Sequence, residues 1–281
     1  CAVAATVGGR VDAAGRERSF RLSSAGLKAY ESTLRSKALI LKYTRRDIAE
    51  ARELLKRAIE IDQTSAQAFA WYGHCFFLQY TSNWDPDGDQ LLATAFEFAK
   101  RAVTLDEVDT TAQWSLAIVL HHMRNFTEAR VHYEKAIDLN PNDSEASGLY
   151  CYFLSCVGEA TRAIQMFDEF ERRNPFGLSF VPWLKGIAYF TSRRYADAID
   201  SLSQVHEPIN AVRAWLAASF AGADHHAEAR AKLQEFLRIA ESDMADVVAR
   251  KLGKFYEETC LLTQPYVLND KVPIGAMVTQ G

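Results

Sequence analysis

The sequence predicts an all-α solenoid: a right-handed superhelix of about six antiparallel helix pairs, closed at its C-terminal end by one further helix. Three observations lead to this prediction. An apolar motif built around a small alanine recurs along the chain, a second small or apolar position precedes each copy, by twelve residues in five of the six, and polar or proline stop signals separate the copies. No strand-like alternation of apolar and polar residues competes with this pattern.

The recurring motif has a small alanine followed by apolar residues four and seven positions later. Successive alanines are 44, 34, 34, 35 and 31 residues apart. Ordinary helical periodicity gives an apolar stripe but no such long period, and 34 residues is the length of a tetratricopeptide repeat. The aligned alanines are Ala51, Ala95, Ala129, Ala163, Ala198 and Ala229.

A second position is also small or apolar; it lies twelve residues before the alanine in five copies, and 22 residues before it in the second copy, which carries a ten-residue insertion. In a tetratricopeptide repeat these two sites lie where the two helices cross, and a bulky side chain there would hold the helices apart. We therefore expect each pair to cross at these residues: Leu39, Gly73, Ala117, Cys151, Gly186 and Ala217.

These positions divide the chain into a connector helix at 1–27, a solenoid at 28–240, and a capping helix with an irregular tail at 241–281. Within the solenoid the predicted pairs are 28–62, 65–106, 109–140, 143–174, 178–207 and 210–240. Asn-Pro or Glu-Pro sequences end several of them, and Asp143 or Ser144 can cap the helix that follows. The segment Asp243–Glu258 is amphipathic and would cover the end of the stack. The tail from Thr263 is expected to be disordered or to lie as a strand against the solenoid.

Two segments give a narrower resemblance. Val11–Leu41 resembles the connector ahead of the repeats in bacterial class III adenylate/guanylate cyclase-like proteins, and the insertion Tyr80–Gln90 resembles the Trp and Asp-Pro loop of their second repeat. The resemblance implies the C-terminal regulatory part of such a protein over nearly the whole chain, with any cyclase domain upstream. Similar arrays also follow winged-helix transcriptional regulators. The matching connector residues are Arg16, Arg18, Ala29, Tyr30, Leu34 and Arg35.

Composition and charge limit the classes of function that the chain can have. The net charge of −4 does not favour a nucleic-acid partner, and the apolar runs are too short to span a membrane. The five cysteines have no CxxC spacing and predict buried thiols in a reducing compartment, so we expect a cytoplasmic protein. Because the chain begins at Cys1, it is interpreted as a fragment or a processed form.

The sequence does not favour an enzyme, a cofactor or a metal site. The run Asp85–Asp89 has calcium-loop spacing at its start but lacks the glycine and the final bidentate acid. We expect a solvated turn there, with Asp89 capping the next helix and Trp84 anchoring the loop. Neighbouring histidines on a helix, such as His121 and His122, point about 100° apart and do not chelate one ion. No phosphate-binding or nucleophile motif is present.

The remaining candidate is the concave surface, which the first helix of each repeat lines. Counting from the crossing residue predicts an aromatic, weakly polar groove without the Lys and Asn residues of carboxylate-clamping repeats. Such a surface suits an apolar or amphipathic peptide or helix. The alternatives are occlusion by the chain's own C-terminal tail, a small-molecule pocket between His74, Trp114 and Tyr152, and self-assembly, including a homodimer. The predicted groove residues are Tyr43, His74, Phe77, Trp114, Ile118, His121, Tyr152, Trp183, Ile187 and Phe190, with Ile40 and His122 beside them.

Overall fold

The computed structural model of the chain describes residues 24–82, 84, 88–173, 180–205, 209–240, 265, 266 and 269–273. Within these residues, helices alternate with short turns. They are α1 (Ser24–Ile40), α2 (Arg45–Ile61), α3 (Ala66–Thr81), α4 (Gly88–Leu105), α5 (Thr110–His122), α6 (Phe126–Leu139), α7 (Ser144–Cys156), α8 (Ala160–Arg173), α9 (Val181–Thr191), α10 (Tyr195–Leu202), α11 (Asn210–Gly222) and α12 (residues 226–240).

The helices form six successive pairs, which confirms the predicted all-α solenoid. From α1 to α10, each odd-numbered helix packs against the even-numbered helix that follows it, and the odd-numbered helices also stack on one another along the chain. This stacking gives the molecule one continuous inner face made of first helices. The largest apolar core runs from Leu39 to Ala188 through the first five pairs.

Close helix crossings explain the small residues of the repeat. A methyl group added to Gly73 would lie 3.0 Å from the Cβ of Phe98 and 3.1 Å from the carbonyl oxygen of Ala95 on helix α4. At Gly186 the obstacle is the Leu202 side chain, 2.5 Å away. Glycine lets the two backbones of a pair approach at these points, as the spacing predicts.

Side-chain caps start several of the inner helices. Asp143 accepts a hydrogen bond from the N–H of Ala146 at 2.8 Å, which confirms the predicted cap. Asp109 and Ser65 cap α5 and α3 in the same way. Asp89 was expected as a cap, but it lies inside the first turn of α4, because that helix begins at Gly88. There its carboxylate still faces the positive end of the helix dipole.

The turn between the two helices of a pair uses a left-handed residue. In the fourth pair this is Gly158, with φ of 89°, while the third, fifth and sixth pairs place Arg124, Arg193 and Asp224 there at φ of 60–62°. The first pair differs, since its helix ends earlier and Tyr43 takes the left-handed conformation at φ 53°. The residue at this turn, Tyr43, is one of the predicted groove residues.

The structure describes only part of the C-terminal region for which the sequence makes predictions. The predicted capping helix Asp243–Glu258 and the connector at 1–23 lie outside the described residues. In the tail, Pro265–Tyr266 and Asn269–Pro273 pair antiparallel as two short strands, so this part of the tail pairs with itself. Cys75 and Cys151 are buried free thiols as expected, but Cys156 is exposed because it lies at the end of α7.

Candidate partner-binding site

The inner face carries the predicted aromatic groove residues, but its middle is closed. Exposed fractions are 8% for His74, 5% for Phe77, 1% for Trp114 and for Ile118, and 6% for His121. These side chains are part of the core rather than a free surface. The prediction of an open groove along the whole inner face therefore needs correction at these five positions. The physical reason is that the first helices stack closely enough for their rings to pack on one another.

The buried part is an aromatic cluster centred on Trp114. Its ring lies edge-on to Trp71 at 5.2 Å and to His74 at 5.1 Å between centroids, and His74 stacks on Phe77 at 5.6 Å. Edge-to-face pairs at these distances are the favoured aromatic geometry. Trp71 was not among the predicted residues, because it lies two positions before its crossing glycine, Gly73, and falls between the counted positions. We call Trp71, His74, Phe77, Trp114, Ile118 and His121 the inner cluster.

The second part of the site is a set of partly exposed rings, which we call the aromatic rim: Tyr43, Trp84, Tyr152, Trp183 and Phe190. Tyr43 lies edge-on to Trp84 at 6.1 Å and to Trp183 at 6.5 Å between ring centroids. The first pair thus contacts the fifth pair across the concave side. Trp84 packs against the core of the solenoid and contacts Tyr43, so it lies on the rim as well; the anchoring of its loop stays a prediction.

Tyr152 and Phe190 connect the rim to the neighbouring helices. Tyr152 lies 5.2 Å from the ring of His121, and Phe190 lies edge-on to Trp215 of α11 at 5.2 Å. Ile187, by contrast, is 2% exposed and belongs to the core, so it too is corrected from groove to core. Trp215 extends the aromatic surface into the sixth pair, where the sequence predicted no groove residue.

Burial controls the electrostatics of the inner cluster. Loss of hydration lowers the pKa of His74 to about 3 and that of His121 to about 3. It also lowers the pKa of His122, whose Nδ1 lies 3.0 Å from the carbonyl oxygen of Ile118. All three rings are therefore neutral at ordinary pH. The described residues contain no group of three metal-ligating side chains.

Several buried polar atoms on this face have no hydrogen-bond partner among the described residues. They are the Nδ1 atoms of His74 and His121 and the indole N–H groups of Trp71 and Trp183. Buried polar groups are normally paired, and an unpaired one costs free energy unless something else satisfies it. The inner face is therefore largely apolar, and its unpaired hydrogen-bonding groups are buried beneath that surface.

Comparison with known proteins identifies the repeat. A family model described as tetratricopeptide repeat matches residues 111–143. A TPR repeat-containing protein of Dictyostelium discoideum is 30% identical over 105 residues, which are 37% of this chain and 39% of that protein. "Putative adenylate cyclase 3" of Rhizobium meliloti is 29% identical over 102 residues, 36% of this chain and 17% of that protein. The aligned segments span well under two thirds of either relative.

Solved structures agree on the fold. The human IFIT1 dimer with m7Gppp-AAAA superposes with a TM-score of 0.65 at 16% identity, covering 92% of this chain and 61% of that one. The pilF protein of Pseudomonas aeruginosa gives a TM-score of 0.50 at 16% identity, over 77% of this chain and 94% of that one. At such identities the likeness shows the fold alone.

Residues 111–143 match the tetratricopeptide repeat, and the described helix pairs have the architecture of a tetratricopeptide solenoid. The predicted resemblance to a bacterial adenylate cyclase-like protein is found, although the aligned part is about a third of the chain rather than nearly all of it. Such repeats imply a scaffold for protein interactions, and the fold is typically non-enzymatic. Among the described helices, none combines the length and the apolar character that a membrane span requires.

Proposed function

We propose that this chain binds an apolar or amphipathic segment of a partner protein at the aromatic rim, and that it is the regulatory repeat part of a cyclase-like bacterial signalling protein in the cytoplasm. The chain itself performs no catalysis in this proposal and needs no cofactor. The partner is a peptide or a helix rather than a nucleic acid.

The observation that carries the proposal is the partial exposure of the rim on an otherwise closed inner face. Trp183 is partly exposed while its indole N–H has no partner among the described residues. This N–H is buried, so a peptide carbonyl would accept from it once the rim rings move apart. An apolar side chain could pack against the exposed parts of Trp183 and Tyr43, whose rings are in edge-to-face contact at 6.5 Å between centroids. Trp and Tyr are the residues that most often dominate interface energies.

The inner cluster supports this binding without contacting the partner. It fixes the stacking of α3, α5 and α7, and Tyr152 of the rim rests on His121 of the cluster. Loss of a cluster ring is therefore expected to weaken the fold strongly, whereas loss of a rim ring should weaken binding with a smaller loss of stability. This difference separates the two sets experimentally.

The proposal is tested by selecting amphipathic peptides from a displayed library against the 281-residue chain. The selected peptide is then titrated onto the wild type, Tyr43→Ala and Trp183→Ala by fluorescence anisotropy. We expect each variant to bind at least about tenfold more weakly, because a buried aromatic contact that dominates an interface contributes more than about 1.4 kcal/mol.

The matched control is Val131→Ala, which removes an exposed apolar side chain from the outer helix α6, where Val131 is 59% exposed. It should bind the peptide as the wild type does. Equal binding by Trp183→Ala, with its helical circular dichroism intact, would refute the rim as the binding site. The regulatory part is tested separately, by measuring whether the selected peptide changes cyclase activity in a full-length protein that contains these repeats.

A small-molecule sensor is the second candidate, and the unpaired Nδ1 atoms of His74 and His121 favour it. A ligand with hydrogen-bond donors could satisfy both if the inner face opened around it. A thermal-shift screen against metabolites separates the two functions, since only a sensor gains stability from a small ligand. An absence of any such shift, together with peptide binding at the rim, would reject the sensor.

A further inference from the structure

Helix α1 has an apolar outer stripe that stays exposed beside the other described helices. Leu27 is 39% exposed, Leu34 is 48% exposed and Leu41 is 54% exposed. Leu41 directly follows α1 and continues it, because its N–H donates to the carbonyl of Lys37 at 3.1 Å. The opposite face of α1, with Ala29 and Leu39, is buried against the solenoid.

The spacing of the stripe is that of a helix–helix seam. Leu27, Leu34 and Leu41 follow one another at seven-residue intervals, and Ala38 lies on the same exposed side. A strict seven-residue repeat keeps one line of side chains facing a partner helix. Solvation of a helix face does not require leucine at three positions spaced seven residues apart, whereas a helix–helix contact does use such a spacing.

We propose that the outer face of α1 binds the same face of a second copy of this chain, with the two helices antiparallel about a twofold axis near Leu34. In this arrangement Leu34 meets Leu34 of the second copy, and Leu27 meets Leu41. A twofold interface of this type requires a self-complementary surface. The stripe satisfies that requirement in shape, because its leucines are symmetrically placed about Leu34.

The charged residues beside the stripe also favour the antiparallel arrangement. Glu31 and Arg35 lie one turn apart on one edge of the stripe, and antiparallel pairing brings Glu31 of each copy within reach of Arg35 of the other. Arg35 now forms an ion pair with Glu50 at 3.4 Å, with both side chains largely exposed at 68% and 46%. Such a surface pair contributes little, so Arg35 can change partner at small cost. In a parallel pair, Glu31 would instead lie beside Glu31 of the other copy, which has the same charge.

Two heptads make a small interface, at the lower end of the range for specific complexes. We therefore expect a dimer that forms at about 100 µM and dissociates on dilution. Sedimentation equilibrium of the full 281-residue chain should give twice the mass of one chain at the higher concentration. Leu34→Glu should be monomeric there with unchanged helical circular dichroism, while the control Val131→Glu, at a comparably exposed site on α6, should still dimerise.

Cysteine cross-linking tests the geometry, in chains whose Cys1, Cys156 and Cys260 are replaced by serine. Leu34→Cys should form a disulfide dimer on oxidation. Leu27→Cys alone should not, because antiparallel pairing separates residue 27 from its own copy by about 21 Å, but a mixture of Leu27→Cys and Leu41→Cys chains should.

Three results would overturn the proposal: a wild-type chain that stays monomeric at about 100 µM, a Leu34→Glu variant that dimerises normally, or a Leu27→Cys chain that cross-links to itself as readily as Leu34→Cys. None of these outcomes depends on the rim, so they leave the proposed partner binding untouched. Conversely, failure of the peptide experiment would not affect the α1 interface.

Discussion

Replacing Trp114 or Trp183 by alanine distinguishes core from binding surface on the inner face. Both residues were predicted to line the groove, yet Trp114 is 1% exposed and Trp183 is only partly buried. Truncating a fully buried tryptophan removes its burial energy and leaves a cavity, which costs about 3–5 kcal/mol. The loss at Trp183 should be under about 2 kcal/mol, because part of its ring already contacts water.

The assay is urea unfolding followed by circular dichroism, since the change in midpoint multiplied by the slope gives the loss of stability. Trp114→Ala should unfold at a clearly lower urea concentration than Trp183→Ala. The packing of Trp114 against Trp71 and His74, at 5.2 and 5.1 Å, is the source of that difference. Equal midpoints for the two variants would contradict the assignment of Trp114 to the core.

Three further predictions concern pH, the helix crossing and a turn. First, the folded-state pKa values of His74 and His121 lie below the unfolded value of about 6.5, so their contribution is complete above pH 6.5 and is lost as pH falls toward 3. The free energy of unfolding from urea titrations should fall between pH 7 and pH 5 by up to roughly 2 kcal/mol per histidine, and His74→Phe should reduce this pH dependence; a flat pH profile would contradict the burial of both rings. Second, Gly73→Ala should destabilise by about 1–2 kcal/mol despite alanine's better helix propensity, because backbone atoms of α4 block the new methyl group; a more stable variant would show that the crossing is looser. Third, Arg193→Gly should raise stability by up to about 1 kcal/mol in thermal unfolding, because φ of 60° favours glycine; a loss of stability would mean that the arginine side chain has a role of its own.

The sequence predicts the fold well because the same pattern recurs in successive repeats, so each copy supports the interpretation of the others. Gly73 and Gly186 are small for one reason, the close helix crossing, and a small or apolar residue stands at the corresponding position of every copy. The helix bounds follow from polar caps such as Asp143. These are local rules, and they need no knowledge of the distant parts of the chain.

The site is less predictable because it depends on how far the superhelix closes. Counting along each helix gives the facing direction of Trp114 and Trp183 alike, but not the fact that one is covered and the other is not. The contact between Tyr43 and Trp183 joins residues 140 positions apart and has no local signal. The left-handed turn at Tyr43, which places its ring on the rim, depends on a helix that ends earlier than in the other repeats.

The most direct test of the central claim, partner binding at the aromatic rim, is fluorine NMR of the chain labelled with 5-fluorotryptophan. The chain has five tryptophans, and substitution of each by phenylalanine assigns its signal. On titration with the selected peptide, we predict that the signals of Trp183 and Trp84 shift most and that the signal of buried Trp114 shifts least. A peptide that binds while the Trp183 and Trp84 signals stay unchanged would contradict the account.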